Sequence, residues 1–197
     1  MSADIYILRH GKAQHMIVEE INRVNGSPFH FTNVFEAVEE VPDDGLPVLV
    51  CCASPSQKAH DYAYMANHKL PPPFVHPSAI IAGSAKIAPG SIVNVGATIQ
   101  VHASVGMGCM VHAHVDVAHN AVLDNFANVS PGCMISGHCR IGWGVSLWSG
   151  AVILPKVIVG ERSIVGANAV VRDDIPPSEY WTGNPARRLA HVKGGEA

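Results

Sequence analysis

Apolar residues recur along most of this chain with a period of six. Stepping by six from Val75 passes through Ile81, Ile87, Val93, Ile99, Val105, Val111, Val117, Leu123, Val129, Ile135, Ile141, Leu147, Ile153, Val159, Val165 and Val171, each of them Val, Ile or Leu. Four residues further on in each hexad the side chain is mostly small, as at Ala97, Ala103, Cys109, Ala121, Ala127, Cys133, Cys139 and Ala151. A period of six is neither the 3.6 of a helix nor the 2.0 of a strand. It fits a short β-segment and a corner, taken three times per coil of about 18 residues, which is a solenoid repeat. The aliphatic positions fill a triangular core, each contributing about 1.5–3 kcal/mol before conformational entropy is subtracted. Successive coils stack about 4.8 Å apart, the ordinary interstrand spacing. Residues 74–176 are therefore predicted to form a parallel β-helix of between five and six coils.

The first 73 residues have a different texture. Ile5–Leu8 and Pro47–Cys52 read as strands, Gln14–Val24 as a helix stopped by Asn25-Gly26, and Ser56–Asn67 as a helix opened by Ser54-Pro55. Strand–helix alternation predicts a small βαβ unit with a parallel sheet, so residues 1–73 form a small α/β domain. Pro71-Pro72-Pro73 is a stiff link into the coil. Pro176-Pro177 ends the periodicity, and residues 177–197 are expected to be a C-terminal tail.

Composition narrows the function classes. Charged residues make up only 15% of the chain against 48% hydrophobic, so part of the surface is expected to be buried between subunits. A formal net charge of -3 gives no footprint for nucleic acid. No apolar run reaches the roughly 18 residues of a membrane span, and the N-terminus does not read as a secretory signal. The five cysteines include no CxxC pair and are expected to be reduced thiols of a cytoplasmic protein. Cys109, Cys133 and Cys139 occupy small inward positions and read as core filler. Trp143 and Trp148 occupy outward positions, expected at a subunit or ligand interface.

Residues eighteen apart lie above one another. His119 therefore stacks between Val101 and Gly137, and Asn120 between His102 and His138. An outward imidazole with a bare glycine one coil above leaves room for a ligand and is useful chemistry near neutral pH; the plainer reading is one surface His among 12.

The run His119-Asn120-Ala121-Val122-Leu123-Asp124-Asn125-Phe126-Ala127-Asn128-Val129-Ser130-Pro131-Gly132 is similar to the signature of the bacterial sugar acyltransferases of the sialic-acid and amino-sugar group. These are left-handed β-helix proteins, an exception to the usual right-handed crossover. The resemblance implies a homotrimer, acetyl-CoA as co-substrate, a nucleotide-linked sugar as acceptor and a small Rossmann-like domain before the coil. It places the general base on His119 and its partner on Asn120, an amide where the family often has a carboxylate. It implies acetyl-CoA or oxyanion contacts at Gly137, Ser149, Ala167 and Arg187, the last within Gly183-Asn184-Pro185-Ala186-Arg187. Sugar contacts are implied at Gly11, His15 and Asn128. The glycine-rich turn of the family is reduced here to Gly11-Lys12-Ala13-Gln14-His15, and its acidic pair after the second strand is replaced by Thr32-Asn33.

Two rival classes remain at this level. His114 and His119 have the His-x4-His spacing of γ-class carbonic anhydrases, but the distant third ligand falls on Ser78, and two imidazoles do not make a three-ligand zinc site. No metal is expected on that count. The other rival is a non-catalytic trimeric β-helix scaffold.

Overall fold

A computed structural model of the chain describes residues 3–9, 29–35, 37–44, 46–51, 54–64 and 69–192. From Phe74–Val75 to Val170–Val171 the backbone forms seventeen two-residue strands, one per hexad, winding through about six turns. They stack into three parallel faces. The first runs from Phe74–Val75 through Met110–Val111 and Asn128–Val129 to Ile164–Val165, the second from Ile80–Ile81 through Asp116–Val117 to Val170–Val171, and the third from Lys86–Ile87 through Val122–Leu123 to Ile158–Val159. The register is the predicted eighteen, with Val111 beside Val129 and Val117 beside Ile135.

The hexad aliphatics and the small corner residues form one continuous core in which Val117, Val129, Ile135 and Ile141 are fully buried or nearly so. Val75, Ile81 and Ile87 are only half-buried because they belong to the first coil and have a neighbour on one side alone. Cys109, Cys133 and Cys139 lie among these corner residues, and each thiol donates to a carbonyl, of Asp124, Trp148 and Leu154 respectively. Burial pushes Cys109 and Cys133 up to about 11 and raises Cys139 as well, which keeps the thiols protonated and inert.

The chain turns at each corner through a residue of positive φ. Gly96, Gly132 and Gly150, with His114 and Asn168, take this place between the first and second faces, and Gly90, Gly108 and Gly144, with Phe126, Arg162 and Ser178, between the third and first. Between the second and third faces the four residues are His102, Asn120, His138 and Lys156, and none is glycine.

The segment read as a tail continues the coil. Glu179–Thr182 pairs in parallel with Ile164–Val165, and Arg187–His191 folds back antiparallel on Glu179–Thr182. Glu179 accepts from Trp181 Nε1 at 2.7 Å and pairs with Arg188 at 2.9 Å, closing the last turn of the solenoid with a polar layer.

The N-terminal strands β1 (Ala3–Arg9), β2 (Phe29–Phe35) and β3 (Val48–Cys51) form a parallel sheet in the order β2–β1–β3, followed by helix α1 (Pro55–Tyr64). Thr32 and Asn33, placed after a strand by the family resemblance, lie inside β2, where Thr32 is the extra residue of a bulge between the Ile5–Phe31 and Tyr6–Asn33 pairs. The helix expected over Gln14–Val24, with Gly11 and His15, falls outside the described residues.

This unit docks on the corner between the third and first faces. Tyr6, Leu8, Val48 and Val50 form one apolar cluster with Phe126, and Met107 and Trp143 pack against it. Trp143 meets Phe126 edge to face at 5.8 Å and carries Arg162 over its ring at 5.2 Å. Its outward position thus serves contact within the chain, and the expected subunit or ligand interface is not needed to cover it. Lys58 of α1 is fully buried in the same junction and donates from Nζ to the Gly108 carbonyl at 3.0 Å.

Candidate functional site

The hexad register dictates where His119 and Asn120 stand. They are the two turn residues between the strand Asp116–Val117 of the second face and Val122–Leu123 of the third. The turn points their side chains outward, while Val117, Ala121 and Leu123 hold the backbone in the core. Asn120 has a φ of 58°, a region that short polar side chains tolerate better than most. In that conformation its amide Nδ2 lies 3.1 Å from His119 Nδ1.

Gly137 sits one coil above. A Cβ built there would stand 2.6 Å from His119 Cε1 and 2.7 Å from Nε2. The space over Gly137 is therefore filled by the imidazole itself, and the glycine makes room for the ring and not for a ligand beside it. The Gly137 N–H donates to no group among the described residues. The next residue, His138, places its ring perpendicular to that of His119 with centroids 5.2 Å apart. This second imidazole was legible only as a column neighbour of Asn120.

The chain brings His119, Asn120 and Gly137 together and leaves the other described candidates, Ser149, Ala167, Arg187 and Asn128, elsewhere, while Gly11 and His15 lie outside the described residues. Ser149 and Ala167 are exposed, stacked one above the other on the corner between the first and second faces. Trp148 stands on the same corner, its ring 5.4 Å from that of Tyr180. Arg187 is exposed on the last strand and donates to the Ala186 carbonyl. Asn128 lies on the first face and shares a hydrogen bond with the His112 side chain. Burial and then the Lys58 charge push His112 down from its ordinary range, and the Asn128 bond opposes them. This junction of Lys58, His112 and Asn128 has no signature in the hexad pattern, because Lys58 arrives from the helix that precedes the coil.

The metal reading gains no geometry. His114 stands on the corner between the first and second faces, His119 on the next corner, and His114 packs over Gly96 with its own ring. Among the described residues no group of three or more His, Cys, Asp or Glu is placed to hold a metal ion.

The three-faced coil of six-residue repeats is a β-solenoid, and one of its corners carries the imidazole–amide pair of His119 and Asn120. Residues 138–173 match the family model described as bacterial transferase hexapeptide (six repeats). The fold is similar to that of the acetyltransferase domain of PglB from Neisseria gonorrhoeae FA1090, at 25% identity and a TM-score of 0.84 over 95% of this chain and all of that one. It is also similar to PerB from Caulobacter crescentus, solved with CoA and GDP-perosamine, at 23% identity and a TM-score of 0.82 over 94% and 97% of the two chains. Among curated proteins, the carnitine operon protein CaiE of Escherichia coli is 26% identical over 147 residues, 64% of this chain and 68% of CaiE. A Schizosaccharomyces pombe relative is 43% identical over 44 residues, and the match spans only 21% of its length.

Proposed function

We propose that this protein transfers an acetyl group from acetyl-CoA to an amine or hydroxyl of a nucleotide-linked sugar, with His119 as general base. The observation that carries the reading is the imidazole of His119 seated on Gly137 with Asn120 at Nδ1. The PglB domain has been solved with acetyl coenzyme A and PerB with CoA and GDP-perosamine, which supports the same co-substrate and acceptor class here.

His119 takes the acceptor proton at Nε2 while the acceptor attacks the thioester carbon. The Gly137 N–H holds the oxygen of the tetrahedral intermediate. Collapse expels the CoA thiolate, which takes the proton from the imidazolium. For this the Nε2 lone pair must be free, so Nδ1 keeps its hydrogen and Asn120 must accept it. A half-turn of the amide, which exchanges two chemically similar ends, presents Oδ1 to Nδ1–H. Unlike a carboxylate, the amide orients the ring without neutralising the imidazolium.

One chain divides the candidate residues between corners. Ser149, Ala167 and Arg187 fit acetyl-CoA contacts, and Asn128 with Gly11 and His15 fits sugar contacts; of the described ones, Ser149, Ala167, Arg187 and Asn128, none stands on the corner of His119. A homotrimer with a left-handed coil, each chain offering its first-to-second corner to a neighbour, unites them. In it residues 1–73 serve as a Rossmann-like sugar-nucleotide unit, 74–176 as the catalytic coil and 177–197 as its closing segment. No helix among the described residues is long and apolar enough to cross a membrane. Acetyl-CoA as co-substrate suits a cytoplasmic site.

The test is thiol release from acetyl-CoA against a panel of nucleotide-activated amino sugars. His119→Ala should lower kcat by about 10²–10⁴-fold with coenzyme binding and melting temperature unchanged. Full activity in that variant with the preferred acceptor would sink the general-base reading.

A further inference from the structure

We infer that His138 is a positioning residue for His119, holding the imidazole of the candidate base in one orientation through ring packing. The inference rests on the reading of His119 as the base and adds a residue to it.

Three observations point the same way. The His119 and His138 rings stand at 85° with centroids 5.2 Å apart, an edge-to-face contact. Both residues are exposed, so no buried core fixes either ring. Three neighbours border the His119 ring: Gly137 lies against it from the coil above, Asn120 meets Nδ1, and His138 closes a third side.

The backbone supplies the fourth observation. His138 has a φ of 62°, in the left-handed region that favours glycine. On the other two corners the chain uses glycine three times each alongside side chains, His114 and Asn168 on one and Phe126, Arg162 and Ser178 on the other. On the corner of His119 it uses none, and His102, Asn120, His138 and Lys156 all keep a side chain in the left-handed region. The His138 N–H also donates to the His119 carbonyl at 3.1 Å, which ties the two turns in register.

The contact matters because the tautomer and direction of the base are set by weak partners here. A single neutral amide holds Nδ1, and rotation of the ring about its χ2 axis carries Nε2 away from any acceptor. A perpendicular ring against one side restricts that rotation.

The experiment compares His138→Ala and His138→Phe with the full-length chain. The first readout is the pair of His119 ring-nitrogen resonances in two-dimensional ¹⁵N spectra, assigned through His119→Ala; it needs no acceptor. His138→Ala should shift or broaden them, and His138→Phe should return them to the wild-type positions. In the acetyl-transfer assay, with the most active nucleotide-activated amino sugar of the panel, kcat should fall about three- to tenfold in His138→Ala at unchanged acetyl-CoA KM and recover in His138→Phe. Resonances unchanged by alanine, or not restored by phenylalanine, overturn the inference, as does a kcat loss matched by a lower melting temperature. If the wild-type chain acetylates no member of the panel, the proposed function fails, and the resonances still decide the role of His138.

Discussion

In the coil every core residue finds its partner eighteen positions away, as Val117 finds Ile135 and Leu123 finds Ile141. The N-terminal sheet instead sets Ile7 of β1 beside Val34 on one side and Leu49 on the other, and then presses its face against Phe126 and Trp143 in the coil. The coil is stabilised by many equivalent contacts between neighbouring turns, as in any quasi-one-dimensional solenoid. The N-terminal unit meets the coil at a junction that holds the fully buried charge of Lys58, with Asp61 of the same helix also fully buried. The two regions should therefore fail in different ways.

The sharpest break is Ile135→Asp. It puts a carboxylate between Val117 and Ile153 with no partner, and such a charge in a dry core should unfold or aggregate the whole protein. Asp124→Asn is the control. Asp124 pairs with Arg140 at 2.9 Å on the surface, and losing that pair should cost no more than about 1 kcal/mol. Thermal melts of the two variants test the hexad register directly, and equal melting temperatures would contradict it.

A smaller effect separates the regions. Trp143→Ala removes the ring between Phe126 and the N-terminal cluster, and a half-buried aromatic should cost about 1–3 kcal/mol, below the range for a fully buried one. Amide exchange in β1 and β3 should speed up while the strands of the coil stay protected. Uniform loss of protection would mean that the two regions unfold as one unit.

The smallest effect is a pH dependence at the same junction. The folded protein holds His112 below its ordinary value of 6.5, so the unfolded chain binds that proton first. The corresponding stability is present above about pH 6.5 and is lost as pH falls through and below it. Melting curves should show His112→Gln losing less stability than wild type between pH 7.5 and 5. A parallel decline in both would remove His112 from the account.

The candidate site was legible in part. The position of His119 and Asn120 on one outward turn under Gly137 follows from counting eighteens, as does the core placement of the three coil cysteines. The use of Gly137 did not follow: counting shows that a side chain is missing there but not that the neighbouring imidazole fills the gap. The β2 strand escaped the reading because Phe29–Phe35 follows Asn25-Gly26-Ser27-Pro28 with no run of hexads to align it, and its alternation of aromatic and polar residues is short. Trp143 looked like an exposed interface residue because the apolar cluster it packs against draws Tyr6, Leu8, Val48 and Val50 from the N-terminal unit, which the hexad pattern does not place.

By itself the sequence determined the coil: its length, its three faces, which side chains point inward and which residues stack. The reason is that a repeat's neighbours lie one turn away along the chain, so local periodicity specifies tertiary contact. Only the tertiary structure decided how the corner between the third and first faces is covered, how Lys58 and His112 come together, and how the His119 ring lies across Gly137 against His138. Those depend on side-chain packing and on a docking contact that no period encodes.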